Sequence, residues 1–410
     1  MADRAGRTAR PLRIGVLKPS YGVAGGLESV VGELEAIARA DGHEVTRLSV
    51  DMVPPKAEVA GLEIPRPVWD AAPEYFGYLR GHDAFARLDT RRFDAVISTQ
   101  PPSFAARHPH HLAVFYHHHR VYYDLEETYL RAGFAPDPEV HRAAGELIRA
   151  LDAPALAEVG WFLAGSAHVA ERLARFGGAT NTSVLHAGLV VGDRAPDDPE
   201  AARRRATGAV LSVGRHEFPK RTELVVAAAH LLPEQPFALV GTGGREAWAR
   251  ALDHRLSVGD DDPAQLTDAE TWCCTGRDAP AVPEDAAGSN VAFLGRVSDD
   301  ELARRYAEAP CVVAPAFAED YGLTAIEAMA RATPPIVCSD GGGLTELVAH
   351  EETGLVVEPT PAAIAAAVER LTTDHDLAAQ LAANGLERAA ELSWDAAAQE
   401  LRDGLERVLS

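Results

Sequence analysis

The chain has 410 residues, of which 47% are hydrophobic and 24% charged, a composition typical of globular proteins with sizeable cores. Its 39 Lys and Arg against 61 Asp and Glu give a formal net charge of −22, which argues against partners such as nucleic acid or anionic membranes. With no apolar run of about eighteen residues, no secretory signal pattern and four cysteines, we expect a soluble cytoplasmic protein of two or three domains without stable membrane association.

In the first half of the chain, short apolar runs alternate with amphipathic helical patterns. Leu12–Leu17 predicts a buried strand, and a helix is expected over about Gly26–Ala40, after a Gly-rich turn. Further strands are predicted at Glu44–Val50, Phe93–Ser98, Leu112–Tyr116, Trp161–Ala164 and Ser183–His186. Such alternation predicts a parallel sheet covered by helices on both faces.

The second half repeats this alternation after a polar stretch rich in Asp, Pro and Arg, which we interpret as an interdomain linker. Strands are predicted at Ala209–Val213, Phe237–Val240, Val291–Leu294, Cys311–Ala314 and Pro335–Cys338. An acidic, Gly- and Pro-rich stretch at about 257–289 predicts a surface insert, and helices are expected from about Pro361 to Leu409. The fold class is therefore α/β, with two doubly wound Rossmann-like domains and a ligand site in the cleft between them.

Two cations follow the first strand of the second half. Arg215 and Lys220 leave the carboxyl end of that strand and meet the start of the next helix, where they predict a site for an anion such as a diphosphate. Lys220 is also one of only three lysines, with Lys18 and Lys56, in a chain that otherwise uses Arg. The alternative is that both cations are solvated surface charges.

Two carboxylates occupy the next such turn and helix. Glu319 and Glu327 are eight positions apart, a little over two helical turns, so both can face one side of the cleft and accept bonds from sugar hydroxyls. Gly322 between them allows backbone N–H groups to approach a phosphate closely. A glutamate at a helix start is often only a complement to the helix dipole, but Glu327 lies within an apolar run and needs a partner.

Two further Gly-rich turns contain Gly25 and Gly26, and Gly341–Gly343. Neither matches the dinucleotide-binding fingerprint or the Walker P-loop, which disfavours a dehydrogenase or an ATPase.

Six of the 16 histidines lie between His108 and His119. A zinc site is one interpretation, but neighbours leaving a strand point to opposite sides, so at most two of His117–His119 share a face. No three-ligand geometry is evident, and we predict no metal. A His-rich surface turn is the other alternative.

Taken together, these cations, carboxylates and glycine turns resemble the retaining glycosyltransferases of family 4. The resemblance runs from Leu12 to about Leu409 and is densest between Val210 and Val357. It implies a GT-B fold with an acceptor-side domain (1–190), a linker (191–207), a nucleotide-sugar-binding domain (208–390) and a C-terminal helix (391–410) that packs back towards the first domain. It also implies transfer of a hexosyl-type sugar from a nucleoside-diphosphate sugar to a hydroxyl of a glycan or small molecule, with no metal or other cofactor.

The resemblance also implies individual roles in donor binding. Arg215 and Lys220 would hold the diphosphate, Glu319 the donor sugar, and Glu327 the ribose hydroxyls. The remaining donor-binding positions that it implies are Gly25, Gly26, Arg296, Val297, Tyr321, Gly322, Leu323 and Thr324.

The segment from Tyr116 to Leu125 resembles the family's histidine-containing loop. His117 or His118 would contact the donor sugar, and the sequence does not decide between them. Arg120, Tyr123 and Asp124 would shape the acceptor side. A nucleotide-sugar epimerase, a glycan phosphorylase and a non-catalytic nucleotide-sugar-binding protein remain alternatives, and the donor, the acceptor and the oligomeric state stay open.

Overall fold

The computed structural model describes residues 10–22, 25–53, 56–189, 208–259, 261–267, 270, 279–283 and 288–410. The chain forms two compact units. The first contains the described residues of Met1–Leu130, Ala135–Val190 and Trp394–Ser410, and the second those of Arg131–Phe134 and Val191–Ser393. The predicted linker, 191–207, and much of the predicted insert, including 271–278 and 284–287, lie outside the described residues.

The first unit is built on a parallel sheet. Its strands are β1 (Arg13–Ser20), β2 (Glu44–Asp51), β5 (Ala95–Ser98), β6 (His111–Phe115), β7 (Trp161–Ala164) and β8 (Thr182–Val184). A separate antiparallel hairpin pairs β3 (Glu58–Val59) with β4 (Leu62–Glu63). The main sheet has the order β2-β1-β5-β6-β7-β8, and each neighbouring pair is parallel.

Helices flank this sheet because its central strands β5 and β6 are wholly buried and need cover on both faces. The helices are α1 (Gly26–Ala40), α2 (Arg66–Ala71), α3 (Pro73–Ala86), α4 (Glu126–Arg131), α5 (Pro138–Ala157), α6 (Ala167–Gly177) and, at the end of the chain, α14 (Trp394–Leu409). Of these, α4 ends in Arg131, the first residue assigned to the second unit.

The second unit is also built on a parallel sheet. Its strands are β9 (Val210–Val213), β10 (Phe237–Val240), β11 (Val291–Gly295), β12 (Val312–Ala314), β13 (Pro335–Cys338) and β14 (Leu355–Val357). Their order is β11-β10-β9-β12-β13-β14. The strand order reverses beside β9, which has β10 on one side and β12 on the other.

Helices cover the second sheet as well. They are α7 (Thr222–His230), α8 (Glu246–Val258), α9 (Asp299–Glu308), α10 (Leu323–Met329), α11 (Leu344–Leu347), α12 (Pro361–Thr373) and α13 (His375–Glu391). Helix α7 is buried along its whole length from Thr222 to Ala229, and its apolar side chains pack with Val210, Phe237 and Ile336 of the sheet. This burial follows from its run of Val, Ala and Leu, which has no polar face.

The predicted fold class is confirmed: both units are Rossmann-like, with parallel sheets covered by helices. The short elements β3, β4 and β14 were not predicted, because two or three residues carry too little periodicity to detect. The segment Arg131–Phe134 lies in the second unit, where the Phe134 ring meets Phe218 edge-on at 5.3 Å between centroids.

Within the described parts of the chain, no helix combines the length and the apolarity needed to cross a membrane.

Candidate active site

Three of the predicted site residues follow the carboxyl ends of two neighbouring strands. Arg215 and Lys220 follow β9, and Glu319 follows β12. Because the chain leaves these two strands towards opposite sides of the sheet, their carboxyl ends flank the crevice in which doubly wound sheets bind ligands. The second unit therefore brings together side chains that are about a hundred residues apart in sequence.

Lys220 and Glu319 form a direct ion pair. The Lys220 ammonium donates to Glu319 Oε2 at 2.5 Å, and the two side chains keep 30% and 20% of their surface exposed. An ammonium has three donors and a carboxylate several acceptor positions, so this contact uses only part of the capacity of either group. Both can bind a ligand without separating.

Arg215 extends into solvent from a fixed backbone. Its guanidinium makes no hydrogen bond or ion pair with any other residue that the structure describes. The backbone next to it is tied down, because the His216 N–H donates to the Thr242 carbonyl at 3.0 Å. Thr242 lies in the loop after β10. Gly241 in the same loop has a positive φ, and a Cβ atom there would collide with the Gly214 carbonyl. The cation is thus available to an anion at this edge of the sheet.

A second ion pair, which the sequence analysis did not identify, lies beside the first. Arg221 binds Asp340 through two parallel hydrogen bonds of 2.9 and 2.5 Å, and its side chain is only 3% exposed. Its guanidinium also lies 5.1 Å from the centre of the Phe317 ring. A bidentate pair of this kind fixes geometry as well as charge. It joins the loop after β9 to the loop after β13, and the loop carrying Glu319 lies between them.

The glycine run after β13 holds Glu319 in place through the backbone. The Glu319 N–H donates to the Gly341 carbonyl at 2.9 Å, and the Gly343 N–H donates to the Glu319 carbonyl at 2.8 Å. Gly342 has a φ of +60°, and a Cβ atom there would lie 2.8 Å from the backbone of Ala318. Glycine is therefore required for the two loops to approach this closely.

Glu327 is held separately, on α10. The Tyr306 hydroxyl donates to Glu327 Oε2 at 2.7 Å, and Tyr306 is itself 1% exposed. Burial raises the pKa of the Glu327 carboxyl above its ordinary value, while the bond from Tyr306 acts in the opposite direction. A carboxylate within an apolar run was expected to need a partner, and for Glu327 that partner is Tyr306.

The other predicted donor-binding positions of the second unit follow the ends of strands. Tyr321 is buried, Gly322 has a φ of +118°, and Leu323 begins α10. Thr324 Oγ1 lies 3.4 Å from the Val213 carbonyl, next to the end of β9. Arg296 and Val297 follow β11 at the edge of the sheet, where Arg296 is exposed and Val297 half-buried.

In the first unit, Gly25 and Gly26 stand exposed at the start of α1. Lys18, at the end of β1, is buried beneath this region. Its ammonium donates to the Pro19 carbonyl, Glu28 Oε1 and Gln100 Oε1 at 3.0, 2.9 and 2.5 Å. Three acceptors occupy all three donors, so this lysine ties β1, α1 and the segment after β5 together rather than offering a charge to a ligand.

The two candidate histidines have different surroundings. His118 is 1% exposed and its ring stacks on Tyr123 with 4.3 Å between centroids, with Phe115 edge-on at 4.9 Å. His117 is half-buried, and its Nδ1 lies 2.7 Å from the His118 carbonyl oxygen. His118 is thus part of an aromatic cluster, and His117 is the one of the two with exposed surface for a substrate.

The predicted acceptor-side residues bind other parts of the first unit. Arg120 donates to Asp124 at 2.7 Å, and Asp124 also accepts from Arg172 at 2.9 Å. Arg172 donates in addition to the Tyr116 carbonyl at 2.8 Å, so it holds both ends of the loop between Tyr116 and Asp124, which we call the histidine loop. Tyr123 donates to Asp152 at 2.8 Å.

In the described parts of the chain, no group of three His, Cys, Asp or Glu side chains is arranged to hold a metal ion.

Comparison with known proteins finds glycosyltransferases. Residues 285–388 match the family described as "Glycosyl transferases group 1". A D-inositol 3-phosphate glycosyltransferase from Streptomyces bingchenggensis is 28% identical over 445 aligned positions, which cover 98% of this chain and 90% of the relative. One of the same description from Nocardioides sp. is 31% identical over 56% of this chain, and the alignment spans 49% of that relative. The family match and both relatives are glycosyltransferases, which supports the resemblance to family 4.

Solved structures agree on the fold of this chain. Sucrose-phosphate synthase from Thermosynechococcus elongatus superimposes with a TM-score of 0.66 and 21% identity, covering 95% of this chain and 98% of that one. Anabaena HepE in complex with UDP and glucose gives a TM-score of 0.62 and 16% identity, covering 96% and 99%. The chain therefore has the GT-B fold that the resemblance implied.

Several residues that shape these sites could not be predicted from the sequence. Asp340 stands directly before the glycine run and Arg221 directly after Lys220, so their positions hinted at a pair that only tertiary structure closes. Tyr306, Arg172 and Asp152 lie inside helices with no local motif to mark them, and no signal in the sequence distinguishes them from ordinary helical residues.

Proposed function

We propose that this chain is a retaining, metal-independent glycosyltransferase that moves a hexosyl group from a nucleoside-diphosphate sugar to an acceptor hydroxyl. The observation that carries the proposal is the Lys220–Glu319 ion pair at the carboxyl ends of β9 and β12, with the exposed Arg215 in the turn after β9. This arrangement offers positive charge for a diphosphate and a carboxylate for sugar hydroxyls in one crevice.

In this proposal, electrostatics drives the departure of the diphosphate. As the bond between the sugar C1 and the diphosphate oxygen breaks, negative charge grows on the leaving group, and Arg215 and Lys220 stabilise it. These two cations take the part that a divalent metal plays in other phosphate sites. Glu319 keeps its bond to Lys220 and uses its remaining acceptor positions on the sugar.

The remaining roles follow from the resemblance to the family. Glu327 binds the ribose hydroxyls with the capacity that its bond to Tyr306 leaves over. His117 contacts the donor sugar, which its partial exposure supports over the buried His118. The acceptor oxygen attacks C1 from the side that the diphosphate leaves, and its proton passes to the leaving phosphate. No side chain acts as a nucleophile.

The acceptor is a small molecule or glycan bearing a free hydroxyl. The relatives' names supply a first probe, because D-inositol 3-phosphate glycosyltransferases act on a phosphorylated cyclitol. Unphosphorylated inositol and simple sugars belong in the same panel as alternative acceptors that carry free hydroxyls.

Donor turnover tests the proposal. UDP-, GDP- and ADP-linked hexoses are incubated with the acceptor panel, and release of the nucleoside diphosphate is measured. We expect Lys220→Ala and Glu319→Ala each to lower kcat roughly a hundred- to a thousandfold, the usual effect of removing a preorganised charge. Lys56→Ala is the matched control, because Lys56 is exposed and lies in the other unit.

Two further measurements test whether the anomeric configuration is retained and whether the reaction needs a metal. NMR of the product should show the anomeric configuration of the donor, and EDTA should leave the rate unchanged. Turnover that survives in both Lys220→Ala and Glu319→Ala would refute the site, and an inverted product would refute retention. Conversion that requires inorganic phosphate and no nucleotide would identify a phosphorylase instead.

A further inference from the structure

Side chains of two helices hold the second half of the histidine loop, residue by residue. Four consecutive loop residues each have a partner on α5 or α6: Val121 with His141, Tyr122 with Arg149, Tyr123 with Asp152, and Asp124 with Arg172. The three partners on α5 are spaced by eight and three residues and so lie along one face of that helix. The conformation of the loop is therefore set by helix side chains as well as by its own backbone.

Asp152 is the most unusual of these partners. It is wholly buried, and its carboxylate accepts a bond from Tyr123 at 2.8 Å and bonds from Tyr78, on α3, at 2.8 and 2.9 Å. The hydrogen bonds of this carboxylate come from two neutral phenols rather than from a cation. Burying such a charge costs several kcal/mol, so a well-packed apolar residue would serve stability at least as well.

The two tyrosines that bind Asp152 also stack on histidines of the histidine loop. The Tyr123 ring stacks on His118 with 4.3 Å between centroids, and the Tyr78 ring stacks on His119 with 4.9 Å between centroids and a 16° interplanar angle. His118 and His119 are the two residues that directly follow His117. The His117 ring is in turn linked to this backbone, because its Nδ1 lies 2.7 Å from the His118 carbonyl.

We propose that Asp152 is a positioning residue for the transfer reaction. By holding Tyr78 and Tyr123 together, it fixes the rings of His118 and His119, and through the adjoining backbone it positions His117. The inference rests on the proposed function, which gives His117 its contact with the donor sugar. Asp152 itself touches no reacting atom. It acts through two aromatic contacts and one short stretch of backbone.

Kinetics separates positioning from mere structural support. Asp152→Asn keeps the shape of the side chain but weakens its acceptance from the two hydroxyls, while Tyr78→Phe and Tyr123→Phe each remove one donor. We expect each variant to lower kcat roughly ten- to a hundredfold, the scale of a misplaced catalytic group, while calorimetry shows UDP or GDP binding at wild-type affinity. The donor residues Arg215, Lys220 and Glu319 lie in the second unit and remain intact.

Tyr122→Phe is the matched control. Tyr122 belongs to the same loop and is 1% exposed, but its hydroxyl does not bind Asp152, so kcat should stay at the wild-type value. The two tyrosine variants keep the proposal testable if Asp152→Asn fails to fold. Folded variants that retain wild-type kcat would overturn it.

A spectroscopic readout makes the test independent of turnover. In protein with labelled histidine, the ring signals of His118 and His119 should carry ring-current shifts from Tyr123 and Tyr78, and these shifts should change in Asp152→Asn but not in Tyr122→Phe. Unchanged shifts would contradict the positioning role. If wild-type protein turns over no nucleotide sugar, the proposed function fails, and that result appears before any variant is made.

Discussion

Asp152 ionises in surroundings that disfavour its charge. Burial raises the pKa of its carboxyl to about 6, while bonds from Tyr123 and Tyr78 and the nearby His119 act in the opposite direction. Glu74 lies 3.5 Å from His119, and Arg149 is on the same helix. The folded state thus holds the Asp152 proton more tightly than the unfolded chain, whose reference pKa is 3.8.

The sign of the resulting pH dependence follows directly. A carboxyl with a raised pKa contributes most to stability below its unfolded pKa, and the contribution disappears as pH rises through its folded pKa. Between pH 5 and pH 8 we expect the wild type to lose about 1 kcal/mol of unfolding free energy relative to Asp152→Asn, which cannot titrate at this position. Urea unfolding of both proteins at the two pH values measures this change. If the unfolding free energies of the two proteins differed by the same amount at both pH values, the raised pKa would be contradicted.

The three lysines show what residue counts can predict. Lys220 follows β9 and pairs with Glu319, while Lys56 is exposed. Lys18 is buried with three acceptors around its ammonium. Scarcity indicated that a compact ammonium was needed, but it could not distinguish a ligand-binding lysine from one that ties elements together. That distinction depends on acceptors from distant parts of the chain, such as Gln100.

Among the elements, the paired loops after β12 and β13 control where Glu319 stands. Gly342→Ala would force an alanine to a φ of +60° and bring its Cβ to 2.8 Å from the backbone of Ala318. We expect a loss of at least about 1 kcal/mol in unfolding free energy, together with a fall in kcat, because the loops must separate. Unfolding and turnover measured on the same preparation test both effects.

Gly32→Ala is expected to change the unfolding free energy in the opposite direction. Gly32 lies within α1, and a Cβ atom there would have no neighbour within 4 Å. Alanine should therefore stabilise the helix by roughly 0.5 to 1 kcal/mol without affecting turnover. A Gly342→Ala protein as stable as the wild type would contradict the close packing of the two loops at Gly342.

Elements differ in how far the sequence determines them. Strands such as Trp161–Ala164 and Phe237–Val240 were predicted with their observed bounds, because a buried parallel strand is a continuous apolar run that a short window detects. The glycine run 341–343 was recognised as a tight turn, but its pairing with the Glu319 loop was not. Loop pairing depends on which strands lie side by side, and that is decided by the order of the whole sheet.

At the scale of the whole molecule, the two units are not continuous in sequence. The last helix, α14, belongs to the first unit, where Leu401, Leu405 and Val408 are buried and the helix packs on β6 and β7. Its ends are fixed by polar contacts: the Trp394 indole donates to the Leu189 carbonyl at 2.8 Å, and His110 Nδ1 lies 2.6 Å from the Val408 carbonyl. The packing against the first sheet therefore includes the last helix of the chain.

This arrangement predicts that a change near the C-terminus destabilises the fold of the first unit. Leu401 is 1% exposed, and Leu401→Ala should lower the free energy of unfolding by about 2 to 5 kcal/mol, through lost apolar burial and the cavity left behind. Glu406→Ala is the control on the exposed face of the same helix and should change it by less than about 0.5 kcal/mol. Calorimetric unfolding distinguishes the two, and equal transitions in both variants would mean that α14 adds little to the stability of the first unit.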